Sequence, residues 1–534
     1  MSDALRGEDV AQLRELGISR EEVARQLELF VHPPPGTRLD RPCTAGDGIR
    51  RLDEAEVSAA EAAHASAARD GRLGKFVPAS GAASRMFKGL LAMAGDEGPV
   101  DRRGIEEKAR AGSADARECL AFLDGVDRFA FHEELQAALA RAGLGSPREL
   151  IEQGRVRELL DVLLTKRGLD YAALPKGLIQ FHRYPGECRT PFAEHLVEAA
   201  LSARDAAGVC RLHFTVSSEH RERFHAQLKQ IAPSFEERHA ARFEVGFSVQ
   251  ERSTDTIAVD LENRPLRTGD GRLLFRPGGH GALIENLGAL DGDLVYIKNI
   301  DNVVPDDRKA LTIKWKKVLA GVLVELQASV FRQLSSLGGA RSGPGGPAGR
   351  EAIDRALGFV RDVLALPLPA GMDSADPARQ LAYLTRLLDR PMRVCGMVRS
   401  EGDPGGGPFW VLGGDGSLSP QIVEHAQLDG SAEQEAIYRS STHFNPVDLV
   451  CGLRDSRGKP FDLRHFVDSS KVFLSRKSSG GRELKALEHP GLWNGAMADW
   501  ITVFVEVPAA TFTPVKTVGD LLRPEHQPSR NPPR

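Results

Sequence analysis

The sequence lacks the features that mark several large classes of function. Its six cysteines, Cys43, Cys119, Cys188, Cys210, Cys395 and Cys451, are scattered, and no two stand as a C-x-x-C pair. That spacing argues against a zinc site or a disulfide framework and for a reducing compartment. Basic residues are not in excess: 70 Lys and Arg face 74 Asp and Glu, a net charge of -4. Bulk nucleic-acid binding is therefore not expected, although a few local cations would still suffice for a phosphate. No apolar run is long enough to span a bilayer. The opening "MSDALRGEDVAQLREL" is charged throughout and holds no apolar signal core. A cytoplasmic protein is expected, with neither membrane nor nucleic acid as a partner.

What is present is material for a large core. Hydrophobic residues make up 41% of 534, and a chain of this length is expected to hold about three to four domain-sized units, or fewer with large insertions. Residues 1–74 read as a helical N-terminal region. "ISREEVARQLELF" offers Ser19 as an N-cap, with Val23, Leu27 and Phe30 at helical spacing. An α/β core is expected over 75–335, interrupted by a helical insertion at 88–174. Its strands are read at Phe76–Ala79, in "VCRLHFTVSS", in "RFEVGFSVQE" and in "GDLVYIKNIDN", alternating with helices. Such alternation predicts a largely parallel sheet. "GGARSGPGGPAGR" reads as a flexible linker or loop, placed at 336–352. Strands joined by Gly-rich turns follow, in a C-terminal part over 353–522 that completes the core. A disordered tail is expected at 523–534.

Five stretches carry chemistry. "KFVPASGAASRMFKG" runs from a strand into small residues and then to Arg85 and Lys88. Backbone N–H groups and these cations form a candidate phosphate cradle; an ordinary strand-to-helix turn is the alternative. The Cβ atoms of Ala82 and Ala83 restrict close approach, so Gly81 is expected to take the tight position and Arg85 to carry more of the anion binding. "VYIKNIDNVVPD" ends an apolar run in Asn299, Asp301 and Asn302. A carboxylate there can hold Mg²⁺ against phosphate oxygens, or can close an Asx turn. "RPGGHGALIENL" sets His280 among glycines that would let a ligand approach the backbone. Lys176 in "LPKGLI" and Lys516 in "TFTPVKTVGDLL" are, taken singly, loop lysines.

In this order the motifs "ASGAASRM", "PKGLI", "SVQE", "GGHGAL", "NIDN", "THFNPVDLV" and "TPVKTVGDLL" resemble those of sugar-1-phosphate nucleotidyltransferases, nearest the UDP-sugar pyrophosphorylase branch. The chain also resembles a bacterial family described only as a domain of unknown function. The resemblance covers about 75–525 and implies a glycosyltransferase-A-like, Rossmann-like fold, with a mixed, mostly parallel sheet flanked by helices. It implies a nucleoside triphosphate and a sugar phosphate as partners, and Mg²⁺ as cofactor. The loop Ala79, Ser80, Gly81, Ala82, with Arg85, would wrap the triphosphate. Lys176 would touch phosphate. Gln250 and Gly279 would lie near the base, and His280 near the phosphates or the sugar. Asp301 would hold the metal, Asn445 would read sugar hydroxyls, and Lys516 would neutralise the phosphates being joined. The chain departs from the pattern at Ala83, where a glycine is usual, and at Ala282. It also departs in the length of 88–174 and in lacking an evident second metal carboxylate, for which Asp448 and Asp499 are candidates. A non-catalytic nucleotide or sugar-phosphate binder, and a glycosyltransferase using a finished nucleotide sugar, are the alternative functions.

Overall fold

A computed structural model describes residues 6–98, 100–341, 343–402, 405–479 and 482–528. The fold is mixed α/β, with a mostly parallel central sheet and flanking helices. The chain divides into two compact units, each assembled from separated segments.

The first unit comprises Met1–Gly74, Gln250–Ile297 and Lys317–Ala509. Its central strands run in the order Thr44–Ala45, Gly48–Arg50, Ile501–Glu506, Met392–Arg399, Asp448–Gly452, Leu294–Lys298. The middle pair is parallel, in register from Met392 opposite Ile501 to Met397 opposite Glu506. Asp448–Gly452 runs antiparallel to Met392–Arg399. A second sheet, Phe275–Arg276, Thr256–Val259, Arg482–Glu488 and Phe473–Ser479, is covered by the two N-terminal helices. Arg20–Val31 starts where Ser19 accepts the Glu22 N–H, as its sequence predicts. Its Val23, Leu27 and Phe30 pack on Ile257, Val259 and Leu487.

The second unit comprises Lys75–Val249, Lys298–Lys316 and Ala510–Arg534. Its strands lie in the order Leu73–Pro78, Val209–Thr215, Arg242–Ser248, the last two parallel. Helix Pro191–Ser202 begins at Thr190, which accepts the Ala193 N–H, with Pro191 in the first turn. Its Phe192, Leu196 and Val197 share a core with Val77, Ala79 and Phe214. The stretch 88–174 is helical as expected, with helices opened by the side chains of Asp101, Ser113 and Ser146. They enclose a core of their own around Phe122, Phe129, Phe131, Leu159 and Tyr171, and Val515, Val518 and Leu521 from the C-terminal segment complete it.

That C-terminal segment has a second anchor. His526 is buried and stacks on His182, centroids 5.4 Å apart, with His526 Nδ1 3.0 Å from His182 Nε2. His182 Nδ1 meets Glu194 at 2.9 Å, and Glu194 also accepts from Tyr184 and Lys309. Of the tail expected at 523–534, Pro524–His526 is thus an ordered 3₁₀ turn, whereas 529–534 lie outside the described residues. The Gly-rich stretch also differs from its reading as a loop. Helix Lys309–Ala340 continues into it and Pro347–Asp362 begins within it, with residue 342 outside the described residues. Helix periodicity upstream carries the backbone through Gly338 and Gly339, which cost only about 1 kcal/mol each.

Candidate functional site

The loop after Leu73–Pro78 is held at both ends by backbone. The Ala79 N–H donates to the Thr215 carbonyl at 2.8 Å, and the Ala83 N–H to the Leu174 carbonyl at 2.8 Å. The Lys176 N–H reaches the Gly81 carbonyl at 3.4 Å, and Ala82 bridges to Pro175. The helical insertion therefore leaves the loop and returns beside it, placing Pro175-Lys176 against the loop despite the length between them. Ser80, Gly81 and Ala82 are exposed, as is Arg85, which forms no ion pair among the described residues. Gly81 does not take the tight position expected for it. Its φ is not left-handed, and a Cβ would meet nothing within 4 Å. Ala83 opens a 3₁₀ turn and is fully buried in the insertion's core. Its methyl is there for packing, which is why alanine suits this position.

Asp301 follows strand Leu294–Lys298, whose five residues are all buried. The Asx-turn alternative does not describe it, because its carboxylate faces lysines. Lys176 Nζ donates to Oδ2 at 2.8 Å, and Lys516 Nζ lies 3.5 Å from the same oxygen. Lys176 Nζ also donates to the Val515 carbonyl at 2.8 Å. Asn302 does the local backbone work instead, its Oδ1 accepting the Thr513 N–H at 3.0 Å. The Val515 N–H closes the pairing on the Asp301 carbonyl at 3.0 Å. Side-chain exposure is 13% for Lys176, 9% for Asp301 and 50% for Lys516. The first two thus form a desolvated pair, while the third presents its ammonium to solvent. Two ammonium groups on one carboxylate leave a local excess of positive charge, the condition for binding a polyanion.

Beneath the site lies a second charged group. Glu198, fully buried, accepts from Lys75 and Lys298, each at 2.8 Å. Lys75 lies within the strand that feeds the loop, and Lys298 ends the strand that feeds Asp301. Burial pulls the Lys75 amine down to about 7, against the opposing pull of Glu198.

The first unit holds Gln250, Gly279, His280 and Asn445. The glycines around His280 serve backbone packing. A Cβ on Gly278 would strike the His489 ring, and one on Gly281 the Pro490 carbonyl. Gly279 has a φ of +79°. His280 stacks on Trp493, centroids 4.3 Å apart, and its Nδ1 accepts the Leu492 N–H at 3.0 Å. A histidine among glycines thus finds its packing partner in Trp493, a neighbour distant in sequence. Burial lowers the His280 pKa, while Glu424 and Glu488 pull it up. Gln250 donates to Thr254 at 3.2 Å, and the Thr254 carbonyl meets His489, whose N–H reaches Gly278. Gln250 and the glycine run are therefore joined by one chain of hydrogen bonds. Asn445 is 4% exposed; its Nδ2 donates to the Gly396 carbonyl and its Oδ1 accepts the Val447 N–H. Both arms of this amide bind backbone, supporting Val447 at a φ of +58° that a β-branched residue rarely adopts.

A family model described as "Domain of unknown function (DUF4301)" matches residues 6–527. The chain belongs to that family. No curated protein matches it. Similar solved structures include the uridine diphosphate N-acetylglucosamine pyrophosphorylase of Trypanosoma brucei, at 11% identity and a TM-score of 0.45, covering 94% of this chain and 74% of that one. The UDP-glucose pyrophosphorylase of Leishmania major is similar at 12% identity and a TM-score of 0.42, covering 98% and 78%.

In this DUF4301 chain, no group of three or more His, Cys, Asp and Glu is gathered as a metal would need, among the described residues. Of the two further carboxylate candidates, Asp448 is buried beside Tyr296, and Asp499 is exposed 3.9 Å from Arg390, both in the first unit. Asp301 is left as the donor in the second unit. Its Oδ2 is occupied by lysines, and its Oδ1 carries no hydrogen bond among the described residues. One carboxylate oxygen fits Mg²⁺ where phosphate oxygens and water supply the rest of the shell.

Two contributors were not singled out in the sequence: Trp493 and Asp520. Asp520 has a legible signal. Thr517-x-x-Asp520 has the spacing of a capping box, and the structure forms one.

Proposed function

We propose that this protein is a nucleotidyltransferase that joins a nucleoside triphosphate to a sugar 1-phosphate, giving a nucleotide sugar and pyrophosphate. The observation that carries this reading is the meeting of Lys176, Asp301 and Lys516 beside the exposed Ser80–Ala82 backbone. A sugar-phosphate oxygen attacks the α-phosphorus in line, and the bond from that phosphorus to the bridging oxygen breaks as pyrophosphate leaves. Two anions must be held together, so charge neutralisation and placement supply most of the rate. Lys176 is fixed by two acceptors and contributes a stationary ammonium. Lys516 contributes a more exposed one. Asp301 Oδ1 would hold Mg²⁺, and the ion supplies further charge neutralisation at phosphate oxygens. The resemblance of the motifs to those of UDP-sugar pyrophosphorylases supports a UTP-like triphosphate.

Pyrophosphate release from a panel of triphosphates and sugar 1-phosphates, with MgCl₂ present, tests this. Turnover with at least one pair is expected, and none with any pair would overturn it. A second reading, a non-catalytic triphosphate binder, is favoured by the shortage of metal donors around Asp301. Tight triphosphate binding without turnover would establish it instead.

A further inference from the structure

Lys516 stands on an irregular segment with its side chain half exposed, and 3.5 Å from Asp301 is too long for a good hydrogen bond. Its own contacts do not fix it in place. The fixing comes from four residues downstream. Asp520 Oδ2 accepts the Lys516 N–H at 2.8 Å and the Thr517 N–H at 2.7 Å, with the Thr517 hydroxyl at 3.2 Å. Its other oxygen lies 2.9 Å from Arg523, and the residue is 7% exposed. Charge-assisted bonds to backbone amides are about twice as strong as neutral ones, so this carboxylate pins the lysine by its main chain and leaves the side chain free to act.

The pin is set in the helical insertion. Val515, Val518 and Leu521, one on each side of Lys516 and one beside Asp520, enter the insertion's core. The Val518 N–H donates to the Met86 carbonyl at 2.9 Å, at the end of the small-residue loop. Arg128 donates to the Leu522 carbonyl at 2.8 Å, and a Cβ on Gly125 would collide with the Leu522 side chain. Loop, insertion and lysine segment are thus one packed body.

We infer that Asp520 is a positioning residue for Lys516, and that the helical insertion is the platform on which that lysine is set against the phosphate loop. The inference rests on the reading that Lys516 meets phosphate. The test is a double-mutant cycle on pyrophosphate release, with Asp520→Ala and Lys516→Ala alone and together. Asp520→Ala is expected to lower kcat about a hundredfold, the cost of misplacing a reacting group by an ångström. In the Lys516→Ala background it is expected to cost less than about twofold. Asp520→Asn, which keeps an acceptor oxygen, should recover most of the loss and serves if the alanine variant does not fold. Equal losses in both backgrounds would make Asp520 merely structural and overturn the proposal. Amide hydrogen exchange gives a readout that needs no turnover. Exchange at Lys516 and Thr517 is expected to rise about tenfold or more in Asp520→Ala and by much less in Asp520→Asn, with strand Val209–Thr215 unchanged. Unchanged exchange at 516 and 517 in Asp520→Ala overturns the anchoring even if the wild type is active. Raised exchange in Asp520→Ala, with a wild type that releases no pyrophosphate, would sustain the anchoring while the nucleotidyltransferase reading falls.

Discussion

Two lysines share one carboxylate oxygen, and their different burial separates what each is needed for. Lys176 pairs with Asp301 out of water, so Lys176→Ala leaves a buried carboxylate without its closest partner. A loss of about 3–5 kcal/mol in stability is expected, measured by urea unfolding. Lys516 is half exposed, and Lys516→Ala is expected to cost less than about 1 kcal/mol. In pyrophosphate release the two should be alike, each losing about 10²–10³-fold in kcat, as when a single donor to a developing oxyanion is removed. The glycines separate in the same way. Gly81→Ala has open space and is expected to change stability by no more than about 0.5 kcal/mol. Gly281→Ala would drive a methyl into the Pro490 carbonyl and should cost about 1–3 kcal/mol or prevent folding. Thermal melts of the two variants side by side decide this. Local spacing could not tell these glycines apart, because the difference lies in what approaches 278 and 281, His489 and Pro490 at a strand end about two hundred residues later.

At the scale of elements, the insertion is the feature whose existence was legible and whose purpose was not. Its caps and apolar periodicity mark helices over 88–174, and helices form there. That its first and last residues meet at the loop is a tertiary fact, written in backbone bonds to Gly81 and Ala83 that any sequence could make. Phe131 is fully buried, 4.9 Å from Phe129 and edge-on to Tyr171. Phe131→Ala is expected to cost about 3–5 kcal/mol. Because Val515 and Val518 complete the same core, the variant should also lose pyrophosphate release in excess of its unfolded fraction. The strands show the same division. Their apolar runs locate Leu294–Lys298 and Val209–Thr215, but the pairing of Asp301 with Val515 joins residues that no local period connects. Asp301, Lys176 and Lys516 were found as a set through ordered motifs, while one arm of the Asn445 amide reaches Gly396, a residue that the motif does not contain.

For the molecule as a whole, buried histidines govern the response to acid. Burial, reinforced by the His182 ring, lowers the His526 pKa to about 3 from its ordinary 6.5. Burial lowers His195, His213, His220, His239 and His443 in the same direction. Each is neutral in the native state and takes a proton on unfolding, so the stability they contribute is full above about pH 6.5 and is lost as the pH falls below it. The carboxylate Glu194, held near 2 by Lys309 and His182 against burial, adds a loss that begins only below about pH 4.5. Urea midpoints should therefore fall between pH 7 and pH 5, and His526→Gln should make that fall shallower. An unchanged slope in the variant would show that the stacked pair does not carry its share. Magnesium should behave cooperatively at this scale. With two ammonium groups beside Asp301, MgCl₂ alone is expected to give no binding heat, and binding should appear only together with a triphosphate.

The second unit also has a history in time. Its segments are made in the order 75–249, 298–316 and 510–534, and the first unit's last segment is synthesised before the third of these. Until translation passes residue 521, the insertion's core lacks Val515, Val518 and Leu521 and leaves the apolar residues they cover without those partners. A ribosome stalled short of residue 510 would carry a first unit with all its segments beside a second unit with the phosphate loop and Lys176 in hand, and a gap where Lys516 belongs.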